Sequence, residues 1–134
     1  MSREAALRTI RVGDLFNATD TTGPVRICLT MSVTGTTIQA RAVTTQEIIE
    51  FDRRTGVADH RFRSASYRYV IDSVAPLPAD IHDIMLSLDR RYRESEYRWA
   101  ENPDWKPTLE DTRLTKEQIR GLLFVSDFYK ANPI

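Results

Sequence analysis

The chain has 134 residues, 41% of them hydrophobic and 28% charged, and its 19 basic and 19 acidic residues leave no net charge. A chain of this size is expected to form a single domain over 1–134, able to bury a core without metal or disulfide. The charge balance excludes a global field that would draw nucleic acid or membrane.

The single cysteine, Cys28, excludes an intrachain disulfide and fits a reducing, cytoplasmic setting. Residues 1–8 are too polar for a signal peptide, and no stretch approaches the ~20 apolar residues of a membrane span. The first seventy residues carry ten arginines against seven acids, and the remainder nine bases against twelve acids. That mild polarity serves only to place a candidate binding face.

Residues 10–16 read as a short strand with a turn or bulge at Gly13 and Asp14. Residues 20–24, with Gly23 and Pro24, favour a loop. In residues 25–33 every odd position is apolar, which predicts a strand with Val25, Ile27, Leu29, Met31 and Val33 on one buried face. A tight turn at Thr34 and Gly35 returns the chain over residues 36–45 as an antiparallel partner, with Ile38, Ala40 and Ala42 inward. Residues 47–51 form another strand, and residues 52–56 suit a hairpin loop with Gly56 at a left-handed position. Residues 57–63 are the expected return strand. Residues 67–74 are the last, with Tyr67, Tyr69 and Ile71 on one side.

Pro76 and Pro78 end the sheet, and Pro78 suits the first turn of a helix. From Ala79 the apolar period becomes helical, with Ile81, Ile84, Met85, Leu88 and Tyr92 on one stripe. Asp80 and Asp83 begin that helix and Arg90, Arg91 and Arg93 follow, as the helix dipole favours. The pattern is expected to run on through Tyr97 and Trp99 until Asn102 and Pro103. After a polar connector over 102–113, Thr115 and Gln118 have capping-box spacing, and Leu114 can staple onto Ile119. Ile119, Leu122, Leu123 and Phe128 are the expected buried stripe of this second helix, with Val125 beside it.

Together these elements predict an α+β fold: a small antiparallel β-barrel or strongly twisted sheet followed by two C-terminal α-helices. Residues 10–75 form the β-rich part and 76–134 the helical part. An SH3-like barrel is the first choice and a barrel of the oligonucleotide-binding type the second.

Motifs for chemistry are sparse. The glycines form neither a phosphate-binding loop nor a dinucleotide fingerprint, and no nucleophile elbow is present. No cofactor is implied. Cys28, His60 and His82 with Asp80 and Asp83 are the conceivable metal ligands, but helical spacing turns His82 away from both acids, so no metal site is expected. Glu50 and Asp52 share one face of a strand, with nothing beside them to serve as nucleophile or oxyanion hole. A Cys28–His60 pair is equally unsupported, because a thiol within a strand is ordinarily a small packing residue.

The sequence is therefore expected to encode a binding module rather than an enzyme, and a small enzyme is the third reading. Arg53, Arg54, Arg61, Arg63 and Arg68, interleaved with Tyr67 and Tyr69, combine the guanidinium groups and flat rings used against single-stranded nucleic acid. Nucleic acid is thus the first candidate partner. The second is protein or a second copy of the chain, through Tyr92, Tyr97, Arg98, Trp99 and Trp105, residue types enriched at interface centres.

Overall fold

The structure, a computed structural model, describes residues 2–20, 25–60, 67–94 and 114–134, with only the backbone described for Asp59, His60 and Tyr67. In chain order the elements are α1 (Arg3–Arg8), β1 (Leu15–Thr19), β2 (Val25–Val33), β3 (Thr37–Ala42), β4 (Ile48–Asp52), β5 (Val57–His60), β6 (Tyr67–Ser73), α2 (Ala79–Glu94) and α3 (Lys116–Ala131). The six strands form one antiparallel sheet in the order β4-β3-β2-β1-β6-β5. Its two outermost strands, β4 and β5, are consecutive in the chain and joined by the turn at residues 53–55. The sheet therefore curls into a nearly closed barrel, and the helical pair packs on its outside.

The barrel interior takes Phe16 and Ala18 from β1, Cys28 from β2, and Ile38, Ala40 and Ala42 from β3. Ile49 and Phe51 of β4, Ala58 of β5, and Tyr69 and Ile71 of β6 complete the wall lining. Small residues beside large ones let the rings interdigitate in a narrow barrel. Phe16 and Phe51 meet edge to face at 5.4 Å and 79°.

Arg26 is the charged exception among these inward positions and is only 3% exposed. Its Nε donates to Glu47 Oε1 at 2.8 Å, and its guanidinium lies 5.6 Å from the Tyr69 ring centroid. Burying such a charge is tolerable because both partners receive it.

The strand placed over 10–16 begins only at Leu15, because a helix and a turn occupy the preceding residues. Ser2 caps α1 by accepting from the Ala5 amide at 3.1 Å, and the helix delivers Leu7 and Ile10 into one end of the barrel. Gly13 takes φ +90° in the turn that follows, a conformation that favours glycine, and Asp14 accepts from the Arg11 amide at 2.9 Å.

The faces of β2 also differ from the sequence expectation. The fully buried face is the even one, with Arg26, Cys28 and Thr30. Ile27 and Leu29 lie on the other side, half-buried beneath the helices, while Val25 and Met31 are exposed. A strand covered on both sides can carry its most apolar positions toward the helices. The odd-position stripe marks that docking face and not the barrel interior.

The remaining hairpins follow the predicted course. The β2–β3 pair contains a register shift at Thr30/Ser32, so Met31 is the extra residue of a bulge. Gly56 stands at φ +73° after the β4–β5 turn, and Asp52 accepts there from the amides of Arg54 and Thr55 at 2.8 and 2.9 Å. The expected return strand over 57–63 is described only to His60.

The helices form a second core with the barrel's outer wall. Met85, Leu88 and Tyr92 of α2 meet Ile119, Leu122, Val125 and Tyr129 of α3, together with Leu15, Val43 and Leu114. Arg41 on β3 fastens α2 through two bonds to Asp89, at 3.0 and 2.7 Å. Gln46, at φ 61° in the β3–β4 turn, also donates to Asp89, at 3.0 Å.

Burial raises the Asp89 carboxyl pKa, but the bonds from Arg41 and Gln46 and the Arg41 charge outweigh it and hold it below its ordinary value. The capping box of α3 is formed as expected, with Thr115 accepting from the Gln118 amide at 3.0 Å and Gln118 accepting from the Thr115 amide at 3.1 Å. Beyond α3, the Ser73 hydroxyl donates to the Asn132 carbonyl at 2.6 Å and the Ile134 amide to the Asp72 carbonyl at 2.8 Å. Among the described residues no helix is long and apolar enough to cross a membrane.

Candidate functional site

The described members of the set proposed for nucleic acid lie at separate places on the barrel. Arg53 and Arg54 lie in the β4–β5 turn, at the barrel end that α1 closes. Arg68 stands opposite Asp59 in the β5–β6 ladder; Asp59 is three residues past Gly56, so Arg68 lies roughly 10 Å farther along the barrel. Arg61 and Arg63 lie outside the described residues, and so does the side chain of Tyr67. Tyr69 is 0% exposed: its ring belongs to the barrel interior and offers no face for stacking on a base.

Arg53 is partly spent on structure, donating to the Thr34 carbonyl at 2.7 Å and to the Arg8 carbonyl at 3.4 Å. Arg3 likewise donates to the Thr55 carbonyl at 2.9 Å. These arginines tie α1 to two barrel turns. Arg8, Arg11 and Arg54 are exposed around the same end, with Glu4 within 3.4 Å of Arg8.

Of the acid and thiol candidates, Asp52 and Cys28 take structural roles. Glu50 and Asp52 are exposed on β4, and the Asp52 carboxyl is held below its ordinary value by the amides of Thr55 and Arg54. Cys28 is fully buried, and burial pushes its thiol well above its usual pKa, away from the reactive thiolate. His82 lines a cleft of about 710 Å³ bounded by Thr9, Asp14, Pro76, Leu77 and Pro133. Asp80 and Asp83 instead line the groove between the starts of α2 and α3. No cluster of three metal-ligating side chains occurs among the described residues.

The helical layer presents a different surface. Of the aromatic set assigned to protein contact, Tyr92 is buried in the helix–barrel core, while Tyr97, Arg98, Trp99 and Trp105 lie outside the described residues. Among the described residues the exposed aromatic side chain is Phe124 on α3. Leu123 is 48% exposed and Phe124 41%, and the ring of Phe124 stacks on that of half-buried Phe128 at 5.7 Å with 21° between planes. Leu123 therefore leaves the buried stripe assigned to it, whereas Phe128 stays half-buried against that core. The inner stripe is Ile119, Leu122, Val125 and Tyr129, and a helix cannot turn four consecutive apolar residues to one side. The uninterrupted run from 122 to 125 was the sequence signal for this outer patch.

No protein-family model matches the chain, and no curated protein or solved structure matches it either.

Proposed function

We propose that this chain is a non-enzymatic protein-interaction module whose contact face is the outer side of α3. The observation that supports it most is the pair Leu123 and Phe124, large apolar side chains held in water, with Phe124 braced by Phe128. Keeping them there costs solubility, and aromatic residues with aliphatic neighbours are the anchors that interfaces bury. The barrel is the rigid scaffold, and its short strands and tight turns favour the SH3-like reading of it.

The test compares wild-type chain with Phe124→Glu, both confirmed as folded, as baits in an extract of the source organism. A protein retained by the wild type and lost with the variant supports the assignment. Identical retention by both contradicts it.

Nucleic-acid association is the second reading, favoured by the exposed Arg8, Arg11 and Arg54 around the end that α1 closes. Anisotropy of labelled single-stranded and duplex DNA and RNA checks it. Steeply salt-dependent binding that falls with Arg54→Glu would support it, and no binding at low salt would remove it.

A further inference from the structure

We propose that the partner of the α3 face is a second copy of this chain, with the two α3 helices antiparallel about a two-fold axis passing between residues 123 and 124. This rests on the reading of that face as a protein contact and names what covers it. The charges around the apolar pair carry the inference. Arg120 lies about one turn before the pair and Asp127 about one turn after it, both exposed. Spacings of three and four put both on the same side of the helix as Leu123 and Phe124. Among the described residues neither is held in an ion pair.

The positions are symmetric about the centre of the pair, and the charges are opposite. In a two-fold antiparallel contact, positions equidistant from the axis meet, so Arg120 faces the partner's Asp127. Symmetry repeats the pair on the other side. Leu123 and Phe124 of both copies then fill the middle, with an ion pair at each end. A parallel arrangement would set Arg120 against the partner's Arg120 and Asp127 against the partner's Asp127, which like charge disfavours. The same surface is thus self-complementary in one orientation only. Its small apolar centre makes the association weak and reversible.

Sedimentation equilibrium of the full chain tests this, over about 10 µM to about 1 mM, the range in which small interfaces associate. The samples are the wild type, Arg120→Asp, Asp127→Arg and the double exchange, each checked for native circular dichroism. The wild type is expected to show a monomer–dimer equilibrium. Each single exchange should weaken association at least tenfold, because two like-charge contacts replace two ion pairs. The double exchange should return it to within a few-fold of wild type.

A dimer indifferent to all three exchanges would overturn the antiparallel register. A strictly monomeric wild type would overturn the second copy as partner. If Phe124→Glu still abolished capture of another protein from extract, the contact-face reading would survive that result. If capture were also unchanged, both would fall.

Discussion

Inside the barrel, Ala18, Cys28, Ala40, Ala42 and Ala58 leave room for the rings of Phe16, Phe51 and Tyr69. Across the wall, the helical layer is filled by Met85, Leu88, Leu122, Val125 and Tyr129. Among the described residues, the large apolar side chains that the barrel strands leave exposed, Val25, Met31 and Ile48, come from different positions on β2 and β4. Such scattered exposure is ordinary for a folded surface. In α3 the apolar content exceeds what the inner stripe can hold, and the excess gathers around Phe124. The difference separates a region built to be stable from a region with surface left to bury.

Breaking the tie between the two regions should have the largest effect. Asp89→Ala removes the carboxylate that receives Arg41 and Gln46 and leaves a half-buried guanidinium without it. A loss of about 3 kcal/mol is expected in urea unfolding, typical of breaking a buried pair. The pH dependence has a definite sign. The folded carboxyl titrates below its unfolded value, so its stabilisation is complete above pH ~4 and is lost as pH falls through the folded pKa. The variant should lose that part of the acid dependence.

Within the barrel, Gly56→Ala should cost about 2 kcal/mol, since it forces a side chain into a left-handed conformation. The new Cβ would also lie 2.6 Å from Arg3 Nη2 and 3.2 Å from Leu7 Cδ2, loosening α1 from the barrel end. A thermal melt measures the loss.

In the helical layer, Gly121→Ala sets two effects against each other. Helix propensity gains about 1 kcal/mol. The added methyl would sit 2.8 Å from Ile84 Cγ2 and 3.1 Å from Met85 Cε, and overpacking of this kind costs about 1–3 kcal/mol. A net loss of about 1 kcal/mol is expected. Phe124→Glu should change folding stability least, by about 0.5 kcal/mol, as suits an outer position. A large loss there would mean that Phe124 serves the fold and not a partner.

Much of this architecture could be read from periodicity. The two-residue period marked β2 and β3, the helical period marked α2, and Thr115 with Gln118 marked the start of α3. Periodicity could not tell which side of β2 faced the barrel, because both sides are covered and only the tertiary arrangement ranks them. Composition likewise joined Arg53, Arg54 and Arg68 into one basic run, whereas β5 carries the chain away from its turn and separates them. Tyr69 looked like a stacking platform for the same reason: an aromatic ring on a strand reads alike whether it faces solvent or a barrel interior. The outer patch of α3 was present in residues 122–125. An apolar run that exceeds one helical stripe is a surface signal, easily taken for more core.

The most direct test of the central claim is site-specific photo-crosslinking in extract, with a benzophenone side chain at position 124 and, as control, at Glu50 on the exposed face of β4. The account predicts discrete crosslinked species from position 124, whether with a second copy or another protein, and none from position 50. Equal crosslinking at both positions, or crosslinking at position 50 alone, would contradict it.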